Sequence, residues 1–216
     1  MKNRENSPDK RGGWLFFLAG LIGALIIGWV IFPMVLYSKQ EQPLNFNHVL
    51  HLNPDIGIEG DTQQEQCLFC HAFRDDGTFT GIPKNATCTM CHDDPEFPLG
   101  KSEDEKKFLA YLAEDEEVPW LVYSKQPDCV YFSHIAHVNM GKLECKTCHG
   151  DFANNKTLPV YEENRLTKYS RNIWGKHISG IYLNQKPWDR MKMDDCAECH
   201  TNSGQEQNNA CFVCHK

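Results

Sequence analysis

The sequence is short of the residues a soluble domain uses to build a core. Only 41% of its 216 residues are hydrophobic, and many of those fall in one run near the N-terminus. From about residue 39 onward aliphatic side chains are sparse. That excludes a large conventional core and calls for metals or disulfides as the organising element. Basic excess is missing as well. The formal charge is −7, which argues against nucleic acid as a partner, because phosphate binding needs basic patches. An acidic surface suits a basic protein partner better.

Charge is absent altogether between Arg11 and Lys39. Within that gap, Trp14–Tyr37 ("WLFFLAGLIGALIIGWVIFPMVLY") supplies 24 residues, enough to cross a bilayer as a helix. Trp14 and Tyr37 bracket it where interfacial aromatics belong. No small-x-small cleavage site closes the run, since "FPMVLYSKQ" is bulky, so an uncleaved anchor is expected in place of a signal peptide. Lys2, Arg4, Lys10 and Arg11 precede it and only Lys39 follows nearby. The positive-inside rule then puts residues 1–13 in the cytoplasm, 14–37 in the membrane and residues 39–216 outside. Gly20, Ala24 and Gly28 recur every fourth residue, either as a helix-packing stripe or because glycine is common in membrane helices.

What the chain does have is cysteine and histidine, 11 and 10 residues respectively. Ten of the cysteines form five C-x-x-C-H groups: Cys67–Cys70–His71, Cys88–Cys91–His92, Cys145–Cys148–His149, Cys196–Cys199–His200 and Cys211–Cys214–His215. This is the attachment motif of c-type haem. Two thioether bonds fix the porphyrin, and the adjacent histidine is delivered to one face of the iron. A zinc ribbon does not require histidine after every pair. Disulfides would not explain the histidines. A thioredoxin-like pair is expected once, beside a βαβ pattern that is absent here. Five covalently bound haems follow, with His71, His92, His149, His200 and His215 as proximal iron ligands.

Five histidines remain: His48, His51, His134, His137 and His177. They match the five further axial ligands that bis-imidazole irons need. The segments "YSKQEQPLNFNHVLH" and "YSKQPDCVYFSHIAH" align without a gap at an offset of 86 residues. Each presents two histidines three apart, on one side of a helical turn, just before a haem-bearing stretch. His48 and His51 then serve a two-haem module over 38–100. His134, His137 and His177 serve a three-haem module over 121–216. An iron with two protein imidazoles has no open position for substrate, which favours electron transfer over catalysis.

Between motifs the chain is turn-rich ("RDDGTFTGIPKNA", "TNSGQEQNNA"), so a mainly α fold with much irregular structure is expected. One helix stands out in the linker 101–120. Ser102 and Glu105 read as a capping box, with Phe108, Leu109, Tyr111 and Leu112 on the buried side. Its acidic tail, Glu114–Glu117, reads as a solvated helix end or a docking point for a basic donor.

The paired histidines ahead of C-x-x-C-H groups resemble class III cytochromes c. The resemblance extends over nearly the whole chain. The anchor running into "VLYSKQEQPLNFNHVLH", then "GIPKNATCTMCH", "VPWLVYSKQPDCVYFSHIAH" and "KPWDRMKMDDCAECH", look like the multihaem subunit of membrane quinone reductase complexes (Qrc). A sister group is the pentahaem subunit of alternative complex III. The resemblance implies a class III cytochrome c-like haem domain on the periplasmic side of a bacterial membrane. It also implies partners: an iron–sulfur subunit, a molybdopterin-family-like subunit, a polytopic quinone-binding subunit and a soluble periplasmic cytochrome c. In the Qrc branch electrons reduce menaquinone, and in alternative complex III they leave quinol. The residues around both "YSKQ" copies look closer to the former. Rival readings are a multihaem enzyme with one open iron and a stand-alone quinol dehydrogenase anchor feeding a soluble reductase.

Cys129 belongs to no pair. It is either a buried free thiol or the single thioether of a sixth haem, for which no spare histidine exists. Intact mass of the purified chain separates the two. Five haems are expected, and the mass of a sixth would assign Cys129 to haem attachment.

Overall fold

The structure is a computed structural model describing residues 10–166 and 191–215; His177, one of the expected ligands, lies outside them. Helix α1 (Lys10–Ile26) runs through a π-helical turn (Ile27–Ile31) into α2 (Phe32–Leu36). Pro33 accounts for the turn. It has no N–H to donate. The wider turn absorbs the misfit, with Phe32 N–H reaching back five residues to the Ile27 carbonyl. Gly13–Leu36 form a 24-residue helix long and apolar enough to cross a membrane, with none of its apolar stretch buried. It stops one residue short of Tyr37, the expected boundary. Cβ positions built at Gly20 and Gly28 meet nothing within 4 Å, so nothing in the described chain packs on that stripe.

Tyr37 instead opens β1 (Tyr37–Gln40), which pairs antiparallel with β2 (Tyr161–Asn164), Tyr37 opposite Asn164 and Gln40 opposite Tyr161. Arg165 N–H donates to the Leu36 carbonyl at 2.8 Å, and Lys39 pairs with Glu162 at 3.7 Å. The apolar helix thus passes straight into a two-stranded ribbon without a free linker. Other regular structure among the described residues is helical and short: α3 (His48–His51), α4 (Gln63–Cys70), α5 (Asn85–Cys88), α6 (Glu103–Ala113), α7 (Cys145–His149), α8 (Met193–Asn202) and α9 (Cys211–Cys214).

The largest core is small. Leu44, Phe108, Leu109 and Val118 are buried together, with Cys88, Tyr111, Leu112 and Trp120 packed around them. Helix α6 is amphipathic, as its sequence indicates, and its buried face is this cluster. Two lateral ties hold the loops to it. Gln42 and Leu121 exchange hydrogen bonds at 2.9 and 3.0 Å. Asn45 receives Leu158 N–H at 2.8 Å and donates from its backbone to Asp104 at 3.0 Å. Gly60 is required ahead of α4: its φ is +142°, and a Cβ there would lie 2.7 Å from Gln66 N.

So small a core makes each buried residue costly to lose. Phe108→Ala should destabilise the domain by about 3 kcal/mol, lowering its melting temperature by about 6–12 °C. Leu99→Ala, at an exposed residue outside every motif, should shift it by less than about 2 °C. Thermal unfolding followed by circular dichroism checks both.

Candidate haem sites

Each C-x-x-C-H group folds as, or beside, one helical turn. Helix α4 carries Cys67 and Cys70, α5 ends at Cys88, α7 spans the third motif, α8 carries the fourth, and α9 carries Cys211 and Cys214. A helical turn puts both thiols on one side with the next residue close behind. Helix α4 is the best capped, by a reciprocal box of Thr62 and Glu65. No disulfide joins any of the eleven cysteines, and among the described residues no cluster of three or more His, Cys, Asp or Glu could hold a metal ion.

The two histidine-bearing repeats place their rings alike, although the first is the α-helical turn α3 and the second leads into a π-helical turn (Ile135–Met140). In the first, the Phe46 ring stacks on His51 (centroids 4.2 Å, 21° between planes) and stands edge-on to His48 (4.8 Å, 79°). In the second, Phe132 stacks on His137 (4.6 Å, 22°) and stands edge-on to His134 (4.8 Å, 88°). His51 Nδ1–H donates to the Asn47 carbonyl and His137 Nδ1–H to that of Ser133, both at 2.8 Å. With Nδ1–H so used, Nε2 is the ring nitrogen left as an acceptor.

What those rings face is the main finding. His51 lies 6.1 Å from His92, His134 lies 6.3 Å from His149 at 5° between planes, and His137 lies 6.2 Å from His200 at 22°. An iron held between two imidazoles, with metal–nitrogen bonds of about 2 Å and about an ångström from each nitrogen to its ring centre, would put the two centroids about 6 Å apart. The spacing therefore fits an iron between each pair. His48 is close enough to His71 to feel it. Burial first, then His71 and His51, push the His48 pKa down to about 4, and its Nδ1 is buried without a hydrogen-bond partner. Burial, then His149 and His137, take His134 down to about 4. Both imidazoles are thus neutral near pH 7, the form that binds metal.

The imidazoles of four C-x-x-C-H motifs meet four different acceptors at Nδ1. His71 donates to the Gly81 carbonyl at 2.8 Å, and Gly81 reaches that position with φ +78°. His92 donates to Glu105 Oε1 at 2.9 Å. His149 faces Ser124 Oγ at 3.4 Å, and His200 faces Asn209 Oδ1 at 3.1 Å. Such outer partners fix ring orientation and basicity.

Three expectations are corrected here. The capping box of α6 is half formed: Ser102 accepts Glu105 N–H at 3.0 Å, but the Glu105 carboxylate turns to His92. Glu117 is more than part of a solvated helix end, because it accepts Asn85 N–H at 2.9 Å and so holds the start of the second motif's helix. Cys129 is exposed, not buried. It adjoins the fifth motif, where Val130 bridges to His215 and Tyr131 N–H donates to the Cys214 carbonyl at 2.8 Å.

Thiols of different motifs also meet. Cys67 and Cys145 are in hydrogen-bonding reach, which pushes Cys67 up and Cys145 down to about 6. Burial and then Cys91 raise Cys70, and burial and then Cys70 take Cys88 up to about 11. Burial and then Cys199 raise Cys148. Burial and then Cys214 take Cys196 up to about 11, with Cys148 adding to it. The motifs therefore neighbour one another in the order second, first, third, fourth, fifth.

Facing imidazoles beside repeated cysteine pairs, strung in one row, define a multihaem cytochrome c. The family described as cytochrome c7 and related cytochrome c matches residues 130–216. Over 100% of this chain and 98% of the other, the sequence is 38% identical to the menaquinone reductase, multihaem cytochrome c subunit, of Nitratidesulfovibrio vulgaris. The chain belongs to this family of multihaem cytochrome c subunits.

If one iron sits between each facing pair, His134→Ala should open one coordination position. One haem centre should turn from low-spin to high-spin in the electron paramagnetic resonance and visible spectra, with the haem count by mass unchanged. Fully low-spin spectra of His134→Ala would remove His134 from the ligand set.

Proposed function

We propose that this chain is a membrane-anchored, periplasmic electron relay carrying five c-type haems. It passes electrons between soluble periplasmic cytochromes c and a quinone-converting complex, in the direction of menaquinone reduction. The carrying observation is the set of imidazole pairs at 6.1–6.3 Å, which leaves no open face for substrate at those sites. When bound, c-type haem supplies one-electron redox chemistry.

The chain's own residues do the rest. Cysteines of the five motifs hold the groups by thioethers. His71, His92, His149, His200 and His215 bind from one side; His48, His51, His134, His137 and His177 bind from the other. In this assignment His48 shares an iron with His71, His51 with His92, His134 with His149, and His137 with His200. His177 is left for His215. Phe46 and Phe132 wedge the distal rings in place, and backbone carbonyls hold their Nδ1 protons. Close thiol neighbours in the order second, first, third, fourth, fifth support a continuous row of short steps.

The apolar helix supports the anchor, with residues 1–13 inside the cell and the haem-bearing part outside. The ribbon of β1 and β2 would hold that part close to the bilayer. The name of the Nitratidesulfovibrio relative supports menaquinone as the quinone. The implied partners are an iron–sulfur subunit, a molybdopterin-family-like subunit and a polytopic quinone-binding subunit.

Gentle detergent extraction from native membranes tests this reading. Co-purification of those three subunits, with haem reoxidation on adding a menaquinone analogue, is expected. Emergence of the chain alone, or with only a soluble multihaem reductase, would move it to the role of a stand-alone quinol dehydrogenase anchor.

A further inference from the structure

Among the described proximal histidines, one has a charged partner. His92 Nδ1–H donates to Glu105 Oε1 at 2.9 Å, and the Glu105 side chain is 9% exposed. The other acceptors are neutral: a peptide carbonyl for His71, a hydroxyl for His149 and an amide oxygen for His200. A buried carboxylate interacts more strongly than an exposed one, because little water screens it. Its position is built. Ser102 caps the first turn of α6 and fixes the Glu105 backbone, while Phe108 and Leu109 lock the helix into the core. Phe108 stands edge-on to His92 at 6.1 Å. Glu117, on Asn85 N–H, adds a second carboxylate to the same motif.

We propose that Glu105 is a positioning and tuning residue that makes the second motif's haem the most reducing of the row. The inference rests on the relay reading above and on His92 being an iron ligand. By drawing the Nδ1 proton, the carboxylate gives the ring imidazolate character and increases donation from Nε2. Greater donation favours the ferric over the ferrous state and lowers the potential. The second motif is also at one end of the spatial row, so the low potential falls at a terminus. An electron accepted there from a low-potential donor then runs downhill into the row.

The test is potentiometric titration of the detergent-solubilised full chain, with each transition resolved optically and by electron paramagnetic resonance. Glu105→Gln keeps the acceptor oxygen and removes the charge. One transition, the most negative, should become about tenfold easier to reduce, a rise of about 59 mV for one electron, while haem count and low-spin signals stay as in the parent. Should that variant misfold, Asn209→Asp provides the converse, placing a carboxylate against His200 and moving a different transition in the negative direction. Unmoved transitions in a well-folded Glu105→Gln, or in Asn209→Asp, overturn the inference. Loss of low-spin signal or haem without a shift of potential would mean that Glu105 only positions the ring. A parent protein with high-spin haem would instead defeat the relay reading itself.

Discussion

The structure depends on imidazole rings facing each other across a gap that one iron can fill. The described residues bury only a handful of apolar side chains, chiefly Leu44, Phe108, Leu109 and Val118. A core of that size cannot alone offset the entropy of ordering so many loops. The histidine-bearing turns are therefore prepared in advance. The carbonyl of Asn47 takes the Nδ1 proton of His51, and that of Ser133 takes the proton of His137. Phe46 and Phe132 stop the rings from turning. Rotation costs are met by local contacts, so a metal–ligand bond meets a ring already aimed.

The duplicated segments show what that constraint holds fixed and what it leaves free. The F-x-H-x-x-H portion has the same ring geometry in both copies because ligand direction tolerates little change. The "YSKQ" portion ahead of it does not. In the first copy Tyr37–Gln40 is a strand joined to β2, continuing the apolar helix. In the second, Tyr123 donates to the Pro159 carbonyl and stacks edge-on with Tyr161, and Ser124 reaches His149. Identical letters thus form a strand in one place and a support for an imidazole in the other, because their neighbours differ.

The attachment motifs were legible without a structure, since covalent spacing is local. So were the buried face of α6 and the apolar helix, both of which rest on short-range periodicity. The ligand partnership was not. Two histidines three apart point to two irons, but only tertiary contacts say that His51 meets His92 and His134 meets His149. Glu105 shows why local reading fails at a site. Three residues after Ser102 it has the pattern of a reciprocal cap, yet a long-range acceptor interaction with His92 outcompetes the local one. Glu117 went the same way, from helix tail to partner of Asn85. Asn209 and Gly81 carried no pattern at all, for each acts through a single carbonyl oxygen.

The row also departs from chain order, and duplication explains how. Contact between Cys67 and Cys145 joins the first motif that follows each histidine segment. The two copies therefore meet at their leading motifs, and the trailing ones, at Cys88–His92 and Cys196–His200, point away on either side. A head-to-tail arrangement would have put the second motif against the third and left the first at an end. Joining the leading motifs has a direct consequence for the histidines ahead of them. His48 and His134 lie toward the middle of the row, where burial is the largest cause lowering both their pKa values. Their partners three residues on, His51 and His137, face His92 and His200. One i, i+3 step, within α3 in the first copy and into a π-helical turn in the second, thus spans the distance between the interior of the row and its flank.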